Sequence, residues 1–190
     1  GTEQGTLTYT DENYIETTSG YLRISDSGEN FSFSDTETPF RVEASIYPTS
    51  YTSWSRVVGK YNNANTENTW LLGTDHLHGV YSGVWNPNQS STTTGDTNTT
   101  PLNDWSDIAM AWDPSTYVLK SYIDGSLVKE QEMTNNSITS STSYLAIGAR
   151  AVGGDNFQGY VDNVRIYVQT IETDPPVIST TTNYSRYETE

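Results

Sequence analysis

Phe40-Arg41-Val42-Glu43-Ala44-Ser45-Ile46-Tyr47-Pro48 is the stretch on which the fold turns. Phe40, Val42, Ala44 and Ile46 fall on every second position, Arg41, Glu43, Ser45 and Tyr47 fill the others, and Pro48 closes the run. A period of two sends successive side chains to opposite faces, so this is a strand with one buried face. Outward from it the pattern recurs. Ile108, Met110 and Trp112 share a face before Asp113-Pro114-Ser115-Thr116, which places Trp112 in the core, and Leu145, Ile147 and Ala149 alternate before Gly153-Gly154-Asp155-Asn156. Residues 119–123 run into Asp124-Gly125, and Val128 continues on the return strand. That dipeptide tolerates φ > 0 at both central positions of a type I′ hairpin turn. Residues 56–61, 69–73 and 77–85 read as shorter strands divided by turns such as Asn62-Asn63-Ala64-Asn65.

Val164, Ile166 and Val168 alternate, but Val161 lies an odd number of positions before them. All four can point inward only if a bulge falls near Asp162-Asn163, and one is predicted there. No segment longer than about ten residues carries a 3.6-residue period, so the expected fold is all-β, a two-sheet antiparallel sandwich or jelly roll. Residues 88–101 read as a polar loop. Thr173-Asp174-Pro175-Pro176 punctuates the chain, and residues 177–190 form a polar, Thr-rich tail.

At 190 residues the chain suits one core, and with 33% hydrophobic residues that core is lean. The 14 tyrosines and five tryptophans supply buried area at low entropic cost. A formal charge of −15 repels phosphate backbones and anionic lipid, so nucleic acid and membrane surfaces are poor partners. No apolar run is long enough for a membrane span, and the start at Gly1 without a basic, apolar leader fits a mature soluble segment. The absence of cysteine excludes disulfides and thiolate metal sites. Five Asn-x-Ser/Thr sequons, at Asn30, Asn88, Asn98, Asn135 and Asn183, are no more than this Asn-, Ser- and Thr-rich composition produces by chance.

The order of the strand contents carries a resemblance. Residues 40–48, Val57-Val58-Gly59-Lys60, Trp70-Leu71-Leu72-Gly73, residues 105–113, Tyr122-Ile123-Asp124-Gly125-Ser126-Leu127-Val128 and Leu145-Ala146-Ile147-Gly148 come in succession. With the closing Phe157-Gln158-Gly159-Tyr160-Val161-Asp162-Asn163-Val164-Arg165-Ile166-Tyr167, the series resembles the laminin-G-like jelly rolls of the concanavalin A-like lectin/glucanase superfamily. The similarity spans residues 20–171, leaving residues 1–19 as a β-prone N-terminal arm and 172–190 as a linker or exchangeable tail. It implies two packed antiparallel sheets, an extracellular or cell-surface location, binding of a glycan or surface protein, and in many members a calcium ion (Ca2+). It does not imply catalysis.

Sugar binding needs exposed rings with polar groups beside them. The ligand-binding candidates are Trp85, before the polar loop, with Trp70, Tyr81, Tyr122 and Arg150; Trp54 and Trp105 are further exposed-ring candidates. Calcium takes oxygen ligands from loops. Asp26, Glu29 and Asn30, in the acidic turn that aligns with related domains, and Asp162 in the bulge are the candidate set. His76 and His78 have two-ligand spacing but no third partner. Glycosidases of this scaffold resemble one another in alternating carboxylates; Glu130 and Glu132 have that spacing beside Lys129, without a tryptophan-lined context, and Glu43 has no such partner. The leading expectation is a non-catalytic extracellular recognition or adhesion module, glycan-binding, with a structural calcium. The alternative is a structural subunit of a filament, surface array or virion that self-associates through its N- and C-terminal arms by strand exchange. A polysaccharide-degrading enzyme ranks last.

Overall fold

The decisive stretch is the centre of a sheet. In the computed structural model, which describes residues 2–5, 8–9, 14–34, 38–52, 54–62, 67–75, 79–85, 91–95, 100–133 and 137–168, the chain forms fourteen strands. These are β1 (Thr2–Gly5), β2 (Thr8–Tyr9), β3 (Ile15–Glu16), β4 (Gly20–Ile24), β5 (Phe40–Pro48), β6 (Ser55–Lys60) and β7 (Trp70–Asp75). They continue as β8 (Gly79–Trp85), β9 (Ser91–Gly95), β10 (Ser106–Asp113), β11 (Val118–Ile123), β12 (Ser126–Glu132), β13 (Leu145–Ile147) and β14 (Gly159–Val168). Two seven-stranded sheets result, one in the order β1-β4-β13-β6-β7-β8-β9 and the other β12-β11-β10-β5-β14-β3-β2. Neighbouring strands pair antiparallel throughout, and the described residues include no helix. The expected all-β jelly-roll sandwich is therefore the fold.

β5 lies between β10 and β14, and its register sets Phe40, Val42 and Ala44 opposite Trp112, Met110 and Ile108 on one inward face. Val58, Trp70, Leu72, Val80, Val84, Leu145 and Ile147 of the first sheet meet them across the sandwich. Each such side chain contributes about 1.5–3 kcal/mol by leaving water. The hydroxyls of Ser82 and Ser121 satisfy each other across the sheets at 2.8 Å.

The predicted bulge is present. Asp162 faces Ser45 and Arg165 faces Glu43, so Asn163 and Val164 stand opposite Ala44 alone. Asn163 adopts φ 50°, the left-handed conformation an asparagine tolerates best after glycine. The shift lets Val161, Val164 and Ile166 all pack on the core, whereas Val168, at the strand's end, is 42% exposed and does not point inward as expected. The Asp124-Gly125 turn has φ of 48° and 76° and joins Ile123 directly to Ser126, as the hairpin reading required.

Two expectations need correction. Residues 1–19 are not a separate arm: β1 pairs with β4 in the first sheet, while β2 and β3 add to the second through β14. Residues 88–101 are not loop throughout, because β9 pairs with β8 from Trp85↔Ser91 to Tyr81↔Gly95. The strand read over residues 77–85 is described from Gly79 as β8, which Asp75, the last residue of β7, pairs with at its start. His76, His78, Asn88 and the whole C-terminal tail lie outside the described residues.

Candidate functional site

β7 and β8 are buried on both faces. Their inward side carries Trp70, Leu72, Val80 and Val84; the side facing away from the second sheet carries Leu71, Tyr81 and Trp85, which form a separate apolar cluster joined by Tyr61. Glycines stand opposite two of these residues, in the pairs Leu71↔Gly83 and Gly73↔Tyr81. A Cβ at Gly73 would lie 2.2 Å from the Ser55 carbonyl oxygen, so that close approach of β6 and β7 requires glycine.

Arg56 enters this outer face from a bulge, since the β6–β7 register shifts between Arg56 and Val58. Its backbone N–H donates to the Asp155 carbonyl at 2.9 Å, and it bridges in parallel to Asn156. The guanidinium carbon lies 4.7 Å from the Tyr61 ring centre, 5.3 Å from Tyr81 and 5.8 Å from Trp54. Trp54 meets Tyr81 edge-on at 5.1 Å, and Tyr61 meets Trp85 at 4.8 Å. A cation is thus enclosed by rings, an arrangement contributing about 0.5–2 kcal/mol per good pair.

Burial decides what the cluster can do. Arg56 and Tyr81 are each 5% exposed and Trp85 8%, whereas Trp54 is 45% exposed. Burial pushes the Tyr81 phenol up to about 12 despite the adjacent Arg56 charge. The Asp155 carboxylate lies 3.8 Å from Arg56 Nη2 and 3.3 Å from Arg150 Nε. Arg56 Nε and Nη1 are buried without a hydrogen-bond acceptor, as is the Nε–H of Arg150, whose contact with Asp155 lacks hydrogen-bond alignment. A buried donor left unpaired costs about 1–3 kcal/mol, more when charged.

Of the sequence-derived ligand candidates, Trp85 and Tyr81 share this face, Trp54 rims it, and Arg150 reaches it through Asp155. Trp70 does not belong: it is wholly buried among Phe33 and Phe40, and its indole N–H donates to the Phe31 carbonyl at 2.6 Å, so no sugar can reach its ring. Tyr122 belongs to the other sheet, with the Arg41 guanidinium 4.6 Å from its ring. Trp105 packs on Tyr14 and Tyr47 beside a cleft of about 250 Å³ lined also by Ser45, Asp107, Asp124, Asp162 and Asn163. Those carboxylates accept bonds from nearby groups, Asp107 from Ser45 Oγ at 2.6 Å, Asp124 from the Asp107 N–H at 2.8 Å and Asp162 from the Asn163 N–H at 2.7 Å. Arg56 itself was missed by the sequence reading; the available signal was an arginine opening the apolar run Val57-Val58.

The calcium set does not assemble. Asp26 Oδ1 accepts the Asn30 N–H at 2.7 Å, and Oδ2 accepts the Phe31 N–H at 3.0 Å and Lys60 Nζ at 2.5 Å. The Lys60 ammonium also donates to Ser32 Oγ at 3.0 Å and the Ser141 carbonyl at 2.5 Å, so a buried lysine occupies the cation's place. Burial alone would raise the Asp26 pKa, but the Lys60 bond, the backbone donors and the Lys60 charge outweigh it and hold the carboxyl below its ordinary value. Glu29 accepts from Ser140 Oγ, Asn30 is exposed, and Asp162 lines the cleft on the other sheet. Among the described residues, no three His, Asp or Glu side chains are grouped to hold a metal ion, so these residues do not fit the calcium that the resemblance implies. Nor is there a glycosidase pair at Glu130 and Glu132: both are exposed on the edge strand β12, where Glu130 lies 3.2 Å from Lys120. Glu43 is paired with Arg41 at 2.5 Å.

Solved structures of low identity share this fold. Domain 4 of the extracellular arabinanase AbnA from Geobacillus stearothermophilus, in complex with arabinotriose, aligns with a TM-score of 0.65 and 17% identity over 87% of this chain and 81% of that one. The CBM40 domain of the Ruminococcus gnavus IT-sialidase, bound to α2,3-sialyllactose, gives 0.60 and 14% over 87% and 91%. A botulinum neurotoxin type C structure, described through its interaction with two ganglioside molecules, gives 0.64 and 12%, with 87% of this chain but only 42% of that one covered. No curated protein matches in sequence. The laminin-G-type profile of the concanavalin A-like lectin/glucanases superfamily matches residues 3–174, which takes in β1 to β3 as the sheet pairing does, and the chain belongs to that superfamily.

Proposed function

We propose that this chain is a non-catalytic glycan-recognition module of an extracellular or cell-surface protein, and that it binds sugar at the rim of the outer face of its first sheet. The observation that carries the reading is the exposed Trp54 ring, set against the buried Tyr81 and Arg56, which offers an aromatic surface for the C–H face of a sugar. Neighbours of the same fold that are described with arabinotriose, sialyllactose and gangliosides support a glycan as the ligand class. The exposed carboxylates of β12, with Glu130 beside Lys120, and the Arg41-paired Glu43 of β5 support a role without catalysis.

A glycan array followed by titration calorimetry tests the reading. The wild type should bind at least one glycan class, and Trp54→Ala should weaken that binding more than tenfold, about 1.4 kcal/mol, while its melting temperature stays nearly unchanged. An array without signal, or binding indifferent to Trp54, overturns the proposal. Turnover of a polysaccharide that is lost in Glu130→Gln or Glu132→Gln would overturn the non-catalytic part.

A further inference from the structure

The outer face of the second sheet carries a cleft that the glycan reading does not use. Ser45 of β5 stands directly opposite Asp107 of β10 on one side and Asp162 of β14 on the other, and all three line it. Asp107 and Asp162 are therefore two strand spacings apart, about 9–10 Å between backbones. Asp124, in the turn between β11 and β12, lines it as well. Each carboxylate has its Oδ1 engaged in a hydrogen bond given above. Among the described residues, Oδ2 of Asp107 and of Asp124 accepts no bond, and Asp162 Oδ2 accepts only the Asn163 side-chain amide at 3.3 Å. None of the three is in an ion pair among these residues, because the cations of this face are taken: Arg41 by Glu43 and Lys120 by Glu130, with Arg165 opposite Glu43 in register. Trp105 forms an aromatic wall, 40% exposed and held by Tyr14 at 5.4 Å and Tyr47 at 5.6 Å.

We infer that this cleft docks a basic segment of a partner protein, seating one of its arginine side chains against Trp105 and among Asp107, Asp124 and Asp162. The inference stands apart from the glycan reading, since Trp54 and Trp105 lie on opposite faces of the sandwich. Charge complementarity selects the occupant: unpaired carboxylates in a chain of formal charge −15 attract a cation and repel an acidic partner. Spacing selects the kind of cation. No three of the described acidic side chains group closely enough to hold a metal ion, and an ammonium is nearly as compact. A guanidinium donates from both edges of a plane, so it reaches oxygens that are far apart while its face lies on the indole. At about 250 Å³ the cleft falls below the roughly 300–1,000 Å³ of drug-sized ligand pockets, which leaves room for one side chain and not for an oligosaccharide.

The test titrates the full chain with a blocked peptide of alternating glycine and arginine, and with its lysine and citrulline counterparts, while the Trp105 indole N–H resonance is followed. The arginine peptide should shift that resonance and bind at least threefold more tightly than the lysine peptide. The citrulline peptide, which keeps the shape without the charge, should leave the resonance in place. Asp107→Asn and Asp162→Asn keep acceptors for Ser45 Oγ and the Asn163 N–H, so both should fold, and each should lose at least fivefold in affinity. Trp105→Ala should lose as much. Glu132→Gln, which removes a charge at the end of β12 remote from Asp124, should bind as the wild type does. No shift with any peptide overturns the proposal, and a loss in Glu132→Gln equal to those in the cleft reduces it to diffuse attraction. Equal affinity for lysine would remove the guanidinium assignment, and binding of citrulline would remove the role of charge. A tenfold gain in Arg186→Gln would assign the cleft to the chain's own tail and refute the partner.

Discussion

Asp26→Asn removes the counter-charge of an ammonium that has no route to water. Lys60 is fully buried, and its three protons go to Asp26, Ser32 and the Ser141 carbonyl at 2.5, 3.0 and 2.5 Å. Breaking one side of a buried pair costs about 3–5 kcal/mol, because the remaining charge stays desolvated. For a chain of this size each kcal/mol shifts the midpoint by about 2–4 °C, so Asp26→Asn should melt about 6–20 °C below wild type. Lys60→Met should fall in the same range, leaving Asp26 with its two backbone donors only. In the double variant no charge remains, the two backbone N–H groups keep an amide acceptor, and Ser32 and Ser141 already bond each other at 2.9 and 3.1 Å. It should recover at least half of either single loss, a coupling of about 2 kcal/mol by urea denaturation. Because the folded-state pKa of Asp26 lies below its unfolded value of about 3.9, the carboxylate's contribution is complete above that pH and disappears as pH falls through the folded value. The wild type should therefore lose stability on the acid side more steeply than Asp26→Asn. Single variants that cost less than 1 kcal/mol, or losses that simply add, would refute the argument.

Tyr81 titrates in the opposite sense: its pKa is raised to about 12, so its contribution is intact below pH 10 and is lost as pH rises through 12. Tyr81→Phe should flatten the alkaline limb of the melting profile by about 2–3 kcal/mol between those limits, measured by circular dichroism. Asn163→Val should cost about 1–3 kcal/mol because a β-branched residue is forced to φ 50°, whereas Asn163→Gly should be neutral or stabilising; equal stabilities would remove the bulge as the reason. Ile166→Asp should abolish soluble expression, since a charge would enter the inter-sheet core; a soluble variant melting like wild type would contradict the inward placement.

How much of this could be read from the residues depended on which faces are buried. β5 and β10 have one buried face and announced it by alternation, and β14 betrayed its bulge because Val161 was out of phase with Val164 and Ile166. β6, β7 and β8 are buried on both faces, so the period vanished and their ends shifted by one or two residues. β1, β2 and β9 are short, polar and Thr-rich, with no apolar stripe to mark them; main-chain pairing with a neighbour defines them, and a linear reading cannot see the neighbour. At the site, tryptophan and tyrosine were natural choices for a sugar surface. Trp70 was placed wrongly because nothing local separates a ring facing in from one facing out when both faces are apolar. Arg56 drew no notice because its ring enclosure comes from β8 and from the residues on either side of β6. Asp26 was read as a metal ligand because its partner, Lys60, lies 34 residues away.

The position of β5 sets a timetable for synthesis. One of its two edges is filled by β10, but the other waits for β14, which begins about 110 residues after β5 ends and whose far edge must in turn receive β3. At ~5–20 residues per second, a nascent chain carries that edge open for about 5–20 s after β5 has been made. For that interval the central strand of the second sheet offers unpaired N–H and C=O groups to any passing strand. A chain that stalls before Gly159 never closes them, so translation pauses downstream of β12 should yield aggregates, whereas pauses after Val168 should not.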